Sequence, residues 1–269
     1  MPEGDTIHRA ANLLRPALEG GELLRFDAQR LVGSRPRRGE TILAVRAVGK
    51  HLLMDFSGGL TLETHMRMTG SWHLYATGAR WRKPAHLLRC LVEVEGWIAA
   101  CFSAPVVRTF PTAARSTPID HLGPDLTVPD ADLDMCVTRM STLGLDGLTI
   151  AEVLLDQRVA NGVGNVYKSE VCWAERLDPF TPLRDVPEPL RRKLVATANR
   201  LLPANLGPGR RTTVAGGLAV YGHRGRPCRR CGAPIRSRSH GEQNRVTYWC
   251  AGCQRSPGDA PGDDIGTSS

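Results

Sequence analysis

The sequence predicts an α+β chain built from two unlike halves, and three observations predict it. Short apolar runs separated by glycine-bearing turns fill residues 22–104, the pattern of a β-sandwich. Longer segments with apolar residues at helical spacing occupy residues 133–202. Cys228 and Cys231, then Cys250 and Cys253, form two Cys-x2-Cys pairs near the C-terminal end. A length of 269 residues fits two domains, each large enough for its own core.

At the start of the chain, Asp5 is a candidate cap for a helix whose Ile7, Ala10, Ala11, Leu14, Ala17 and Leu18 follow helical spacing up to Gly20-Gly21. Removal of Met1, which the small Pro2 permits, exposes a secondary amine beside the Glu3 carboxylate. Such an α-amino group titrates near ~7.7–8.0, so a neutral fraction exists at physiological pH. It can attack a sugar carbon and form an iminium, with Glu3 moving protons beside it. Taken alone, Pro2-Glu3 reads better as a processed, solvated end, and only the motifs farther along the chain overturn that reading.

Strands are expected over residues 41–48, 51–56, 60–65, 87–94 and 97–102, with Ser57-Gly58-Gly59 and Glu95-Gly96 as turns. Lys50 lies between the first two, after Gly49, which lets a ligand approach the backbone closely. Met68 reads as core filler or as an apolar wedge for a duplex, and Arg108 and Phe110 fall in an expected loop. A Pro/Asp-rich stretch, residues 116–134, reads as the inter-domain linker. Helices follow over 133–143, 148–159, 165–177 and 189–202. Between the second and third, Ala160-Asn161-Gly162-Val163-Gly164-Asn165 opens a helix whose unpaired N–H groups make a ready phosphate site; plain packing fits it too.

The four finger cysteines suit one tetrahedral zinc ion per chain. A closed thiolate shell leaves no position for substrate, so this zinc is expected to be structural. Residues 235–239 and 246–249 can form a hairpin between the pairs, with Arg245 just before its second strand. Cys90, Cys101, Cys136 and Cys172 read as buried reduced thiols. The tail, residues 255–269, is rich in Gly, Pro, Asp and Ser and is expected to be disordered.

Net charge is +8, and residues 219–254 carry seven arginines against the single acid Glu242, so a polyanionic partner is expected. No apolar run reaches the ~18–20 residues of a membrane span, and no signal peptide precedes Pro2. No membrane partner is expected, and a cytoplasmic, nucleoid-associated monomer is.

Pro2-Glu3-Gly4, the turn and helix Gly162-Val163-Gly164-Asn165-Val166-Tyr167-Lys168-Ser169-Glu170, and the arginine-bearing finger occur in this order. In that combination residues 1–254 resemble the formamidopyrimidine-DNA glycosylase/endonuclease VIII family of base-excision repair enzymes. The resemblance implies a bifunctional DNA glycosylase and abasic-site lyase. Its expected parts are a catalytic β-sandwich domain over 1–115, a linker, a helix-two-turn-helix domain over 135–218 and a zinc finger over 219–254. By this likeness Pro2 is the Schiff-base nucleophile and Glu3 the general acid/base. Lys50 contacts phosphate and donates a proton in β-elimination, Asn165 grips the backbone beside the lesion, and Arg245 binds phosphate and assists δ-elimination. Arg67 and His121 are similar by position to further DNA contacts, and Met68 to a wedge.

The implied partner is damaged double-stranded DNA, with single-stranded and bubble DNA as further candidates. Gly4-Asp5-Thr6 looks like the endonuclease VIII branch, which favours oxidised pyrimidines. Met68 with Arg108-x-Phe110 is similar to the wedge of the branch that favours oxidised purines, although the spacing to Gly123-Pro124-Asp125 departs from it. A damage-sensing DNA-binding protein without catalysis, or an RNA-binding zinc ribbon, would share the finger and the charge.

Overall fold

Side chains that alternate between two faces build the first half of the molecule. The computed structural model describes residues 2–241 and 244–258, and helix α1, Gly4–Leu18, leads it. Eight strands follow: β1 Arg25–Asp27, β2 Ile42–Val48, β3 His51–Phe56, β4 Leu60–His65, β5 Ser71–Ala76, β6 Leu88–Val94, β7 Trp97–Phe102 and β8 Val106–Pro111. They form two antiparallel sheets of order β1-β6-β7-β5 and β2-β3-β4-β8. Leu52, Met54 and Phe56 from β3 and Leu62 from β4 enter the core between the sheets with Val92, Ala99 and Cys101. Helix α1 packs on strands of both sheets, and Ile7, Ala11, Leu14 and Leu18 close the core from that side.

Two expectations change here. The N-cap of α1 is Glu3 and not Asp5, and the Asp5 carboxylate instead accepts from Arg211 at 2.5 and 2.7 Å and from the Tyr167 hydroxyl at 3.2 Å. A nearby guanidinium is a stronger partner for a carboxylate than a helix end. Arg108 and Phe110 lie in strand β8 and not in a loop. Val107 and Thr109 alternate with them, burying one face, and Pro111 is tolerated because β8 is an edge strand.

The second half contains α2 Leu133–Thr142, α3 Ile150–Val153, α4 Asn165–Ala174 and α5 Glu188–Leu201. The helix expected over 148–159 stops at Val153. Further on, the Asp156 side chain accepts the Arg158 N–H at 2.9 Å, offering the backbone an alternative to the helical ladder. Residues 116–134 are more than a connection: Leu126 is buried in the helical core and the Asp132 side chain caps α2.

The finger hairpin pairs β9, Ile235–His240, with β10, Arg245–Cys250. Buried Glu170 of α4 fixes the approach to it, accepting from the N–H groups of Ala219, Val220 and Tyr221 at 2.8–2.9 Å and from the Thr213 hydroxyl. Residues 259–269 of the expected disordered tail lie outside the described residues, as does Met1. No helix among the described residues is long and apolar enough to cross a membrane.

Glu170→Ala would strand three backbone donors, so we expect a loss of roughly 3 kcal/mol in urea unfolding. A variant within about 1 kcal/mol of the parent would show that the carboxylate is not the anchor.

Candidate functional site

Helix α4 begins at a residue without a side chain, Gly164, and its first N–H groups must find a partner elsewhere. Glu3 supplies it from the other end of the sequence: Oε1 accepts from Val166 N at 2.8 Å and Oε2 from Tyr167 N at 3.3 Å, with the residue fully buried. The positive end of the helix favours the carboxylate. A Cβ on residue 164 would overlap the Glu3 carboxyl carbon, so only glycine fits there. The Gly4 N–H donates to Gly162 O at 3.0 Å. Pro2 is thereby held where the two halves meet.

Lys50 reaches the same joint from the β2–β3 turn. Gly49, at φ 53°, passes so close to the Asn161 amide that a side chain there would overlap it, and its N–H donates to Asp125 Oδ2 at 2.5 Å. The Lys50 ammonium donates to the Val163 carbonyl. Burial pushes its pKa down to about 8, with Glu3 pulling it up and Arg245 adding to the fall.

Alternation along the sheet places a polar cluster on the outer face of β3, β4 and β8. His51 pairs with His65 and Glu63 with Arg108 in the strand register. Glu63 is fully buried; Arg108 donates to it at 2.5 and 3.0 Å, and His51 Nδ1 lies 2.8 Å from Oε1. Burial alone would raise the Glu63 carboxyl, but the bonds from His51 and Arg108 outweigh it and lower the pKa, so it remains a carboxylate. His65 is pushed down to about 3 by burial, with His51, Lys50 and Arg67 adding, and is neutral.

These groups open on a cavity of about 470 Å³. Pro2, Lys50, Arg67, Met68, His121 and Arg245, drawn from five stretches of sequence, all line it. Arg67 has a left-handed φ of 44°, and Met68 beside it is 56% exposed, so this turn projects outward. Glu3 lies behind the cavity wall. Asn165 is not on the lining: its amide donates to Val246 O at 2.7 Å and accepts from Lys168 Nζ at 2.6 Å, while Lys168 also donates to Thr247. Those bonds seat strand β10 on helix α4, and Arg245 begins that strand.

The Sγ atoms of Cys228, Cys231, Cys250 and Cys253 lie within 4.8 Å of one another and can hold one metal ion. A tetrahedron with Zn–S near ~2.3 Å has edges of roughly 3.8 Å, and the Cys228–Cys253 and Cys231–Cys250 sulfurs stand 3.8 and 3.3 Å apart. Trp173 Nε1 lies 3.4 Å from the Cys228 sulfur, and the Arg230 guanidinium stacks 4.0 Å from the Trp173 ring.

Reading the sequence missed His51, Glu63 and His65. The signal was present, since Glu63 and His65 stand at alternate positions of β4, opposite in facing to core residue Leu62. Apolar residues identified that strand; the polar ones on its other face were left unread.

Gly164→Ala should displace Glu3 and cost about 2 kcal/mol by overpacking. Amide exchange at Val166 and Tyr167 should rise with it; unchanged protection would mean that Glu3 does not cap the helix.

Residues 1–104 match the formamidopyrimidine-DNA glycosylase N-terminal domain and residues 122–214 the formamidopyrimidine-DNA glycosylase H2TH domain. A probable endonuclease 8 2 of Streptomyces coelicolor is 40% identical, across 99% of this chain and 98% of its own. The DNA-(apurinic or apyrimidinic site) lyase Nei2 of Mycolicibacterium smegmatis is 34% identical, across 94% and 99%. Among solved structures, MutM (Fpg) of Thermus thermophilus superposes with a TM-score of 0.77 at 27% identity, covering 94% of this chain and 98% of that one. The Lactococcus lactis formamidopyrimidine-DNA glycosylase, solved non-covalently bound to DNA containing an abasic site, shares the fold at a TM-score of 0.79 and 21% identity, covering 94% and 99%. With both domain models matched in order and 40% identity across nearly the whole chain, the chain belongs to the formamidopyrimidine-DNA glycosylase/endonuclease VIII family of DNA glycosylase and lyase enzymes.

Proposed function

We propose that this enzyme removes oxidised bases, pyrimidines foremost, from damaged double-stranded DNA and nicks the strand by β,δ-elimination through a Schiff base at Pro2. The observation that carries the reading is the convergence of Pro2, Lys50 and Arg245 on one cavity, with Glu3 seated directly behind it. The names of the Streptomyces and Mycolicibacterium relatives agree with it.

A base inside a duplex is out of reach, and extruding it costs about a few kcal/mol. Arg67 and Met68, projecting from their turn, offset that cost by filling the gap. The Pro2 amine, once Met1 is gone, attacks C1′ as the base departs, and Glu3 handles the accompanying proton. The iminium acidifies the C2′ protons; elimination then expels the 3′ phosphate, and a second elimination releases the 5′ phosphate. Lys50 donates a proton during the first elimination. Arg245 and His121 hold phosphates, with Arg245 assisting the second. Asn165 acts beside the lesion through the start of α4 and through the finger strand it ties down.

The metal is one zinc ion per chain. The four thiolates fill its shell, so it supplies rigidity to the hairpin that carries Arg245 and no chemistry. Preference for pyrimidines is supported by Gly4-Asp5-Thr6. It is supported also by Arg108, whose guanidinium is committed to Glu63 and so does not resemble a free wedge.

Borohydride trapping on an oligonucleotide with an abasic site tests the nucleophile. With Met1 removed in both proteins, Pro2→Gly should trap at least about 10²-fold more slowly than the parent, and trapping at the parental rate would refute the assignment. On a lesion panel, thymine glycol and dihydrouracil should be excised faster than 8-oxoguanine.

Pro2 must be neutral to attack, and Lys50 must be protonated to donate. Strand scission should therefore rise as the amine deprotonates near pH ~7.7–8.0 and fall as pH passes the Lys50 value of about 8. In Lys50→Arg, which stays protonated, only the alkaline fall should move, to higher pH; an unmoved limb would exclude Lys50 as the donor.

A further inference from the structure

We propose that His51 is the base that takes the C2′ proton in the first elimination, with Glu63 and Arg108 as its positioning residues. This rests on the Pro2 reading of the site.

The geometry singles out one nitrogen. A carboxylate can only accept, so the 2.8 Å contact to Glu63 keeps the proton of a neutral His51 on Nδ1 and leaves the lone pair on Nε2. Among the described residues no hydrogen bond engages Nε2, and the buried side-chain polar atoms without a partner belong only to Glu40 and Asn161. Nε2 is therefore open, and the space that His51 lines is the cavity of Pro2 and Lys50.

The carboxylates and the Gln157 amide near this cavity are already occupied, and the His121 ring, which also lines it, has no carboxylate hydrogen-bonded to it among the described residues. Glu3 serves helix α4, Glu63 serves Arg108 and His51, and Gln157 Oε1 accepts from Gly162 N at 3.1 Å. His65, 4.6 Å from His51 between ring centres, is a poor base at a pKa of about 3. The charged and titratable groups around His51 are Glu63 and His65 from β4, Arg108 from β8, Lys50 from the β2–β3 turn and Arg67 from the turn after β4, with the Pro2 amine, His121 and Arg245 lining the same cavity. Glu63 is the one anion among them, and it offsets the charge of an imidazolium once the proton has arrived.

In the step itself, Nε2 takes the C2′ proton, the C–H pair forms C1′=C2′, and the iminium nitrogen takes back its own pair. That pair then returns, C2′=C3′ forms, and C3′–O3′ breaks with its electrons leaving on the phosphate oxygen. One proton resides on His51, and no oxidant or reductant is needed.

Single-turnover kinetics on a preformed abasic site separate this step from imine formation. His51→Ala should trap with borohydride at nearly the parental rate yet cut on the order of 10²-fold more slowly, and added imidazole should restore part of the loss. His51→Gln, which keeps a polar side chain and the fold, should show the same split. Glu63→Gln should bind DNA and trap with borohydride as the parent does while cutting more slowly. Normal trapping with undiminished scission in both His51 variants, or in Glu63→Gln, would overturn the proposal alone. Absence of trapping in the native protein would overturn the Pro2 reading and this proposal with it.

Discussion

One carboxylate binds the ends of this chain's logic together. Glu3 caps helix α4 across 163 residues of sequence, where the helix has no side chain of its own for the task. Gly164 has no side chain with which to cap its own helix, and a buried carboxylate without donors would cost far more than the bond supplies. The arrangement demands glycine at 164 and a close approach of Gly4 to Gly162. Two further stitches, Gly49 to Asp125 and Lys50 to Val163, cross the same seam. These bonds hold Pro2 fixed relative to the cationic groups across the seam, as the proposed reaction requires.

Each buried charge near the seam has partners of its own. Glu3 has a helix end, Asp5 has Arg211 and Tyr167, Glu63 has Arg108 and His51, and Glu170 has three amides of the finger approach. The acids are thus held in separate, fully bonded pockets. Of the charged side chains lining the cavity only Glu63 is anionic, and it is bonded to Arg108 and His51; Lys50, Arg67 and Arg245 leave the surface cationic, and such a surface draws in a polyanion.

Much of this was legible in the sequence, for physical reasons that can be named. Strands β2, β3, β4, β6 and β7 were readable because glycine turns bracket their apolar runs, and the cysteine spacing announced the finger. Strand β8 was not, because Arg108 and the flanking prolines looked like loop chemistry; the alternate burial of Val107 and Thr109 outweighed them. Helix α3 was overestimated because apolar periodicity continues through Val159 while Asp156 turns the backbone aside. For the site, Pro2, Lys50, Arg67, Met68, His121 and Arg245 were each identifiable, but their meeting is a property of the seam and not of any local pattern. Asn165 turned out to hold the finger strand, since its amide faces Val246.

Strand β10 carries Arg245 at its first position, and its next two residues are bonded to α4 through Asn165 and Lys168. Parity along that strand is therefore locked to the helix. A single residue gained between Arg245 and Thr247 would swing that guanidinium to the opposite face, which makes this short segment one where evolution can exchange letters but not insert them.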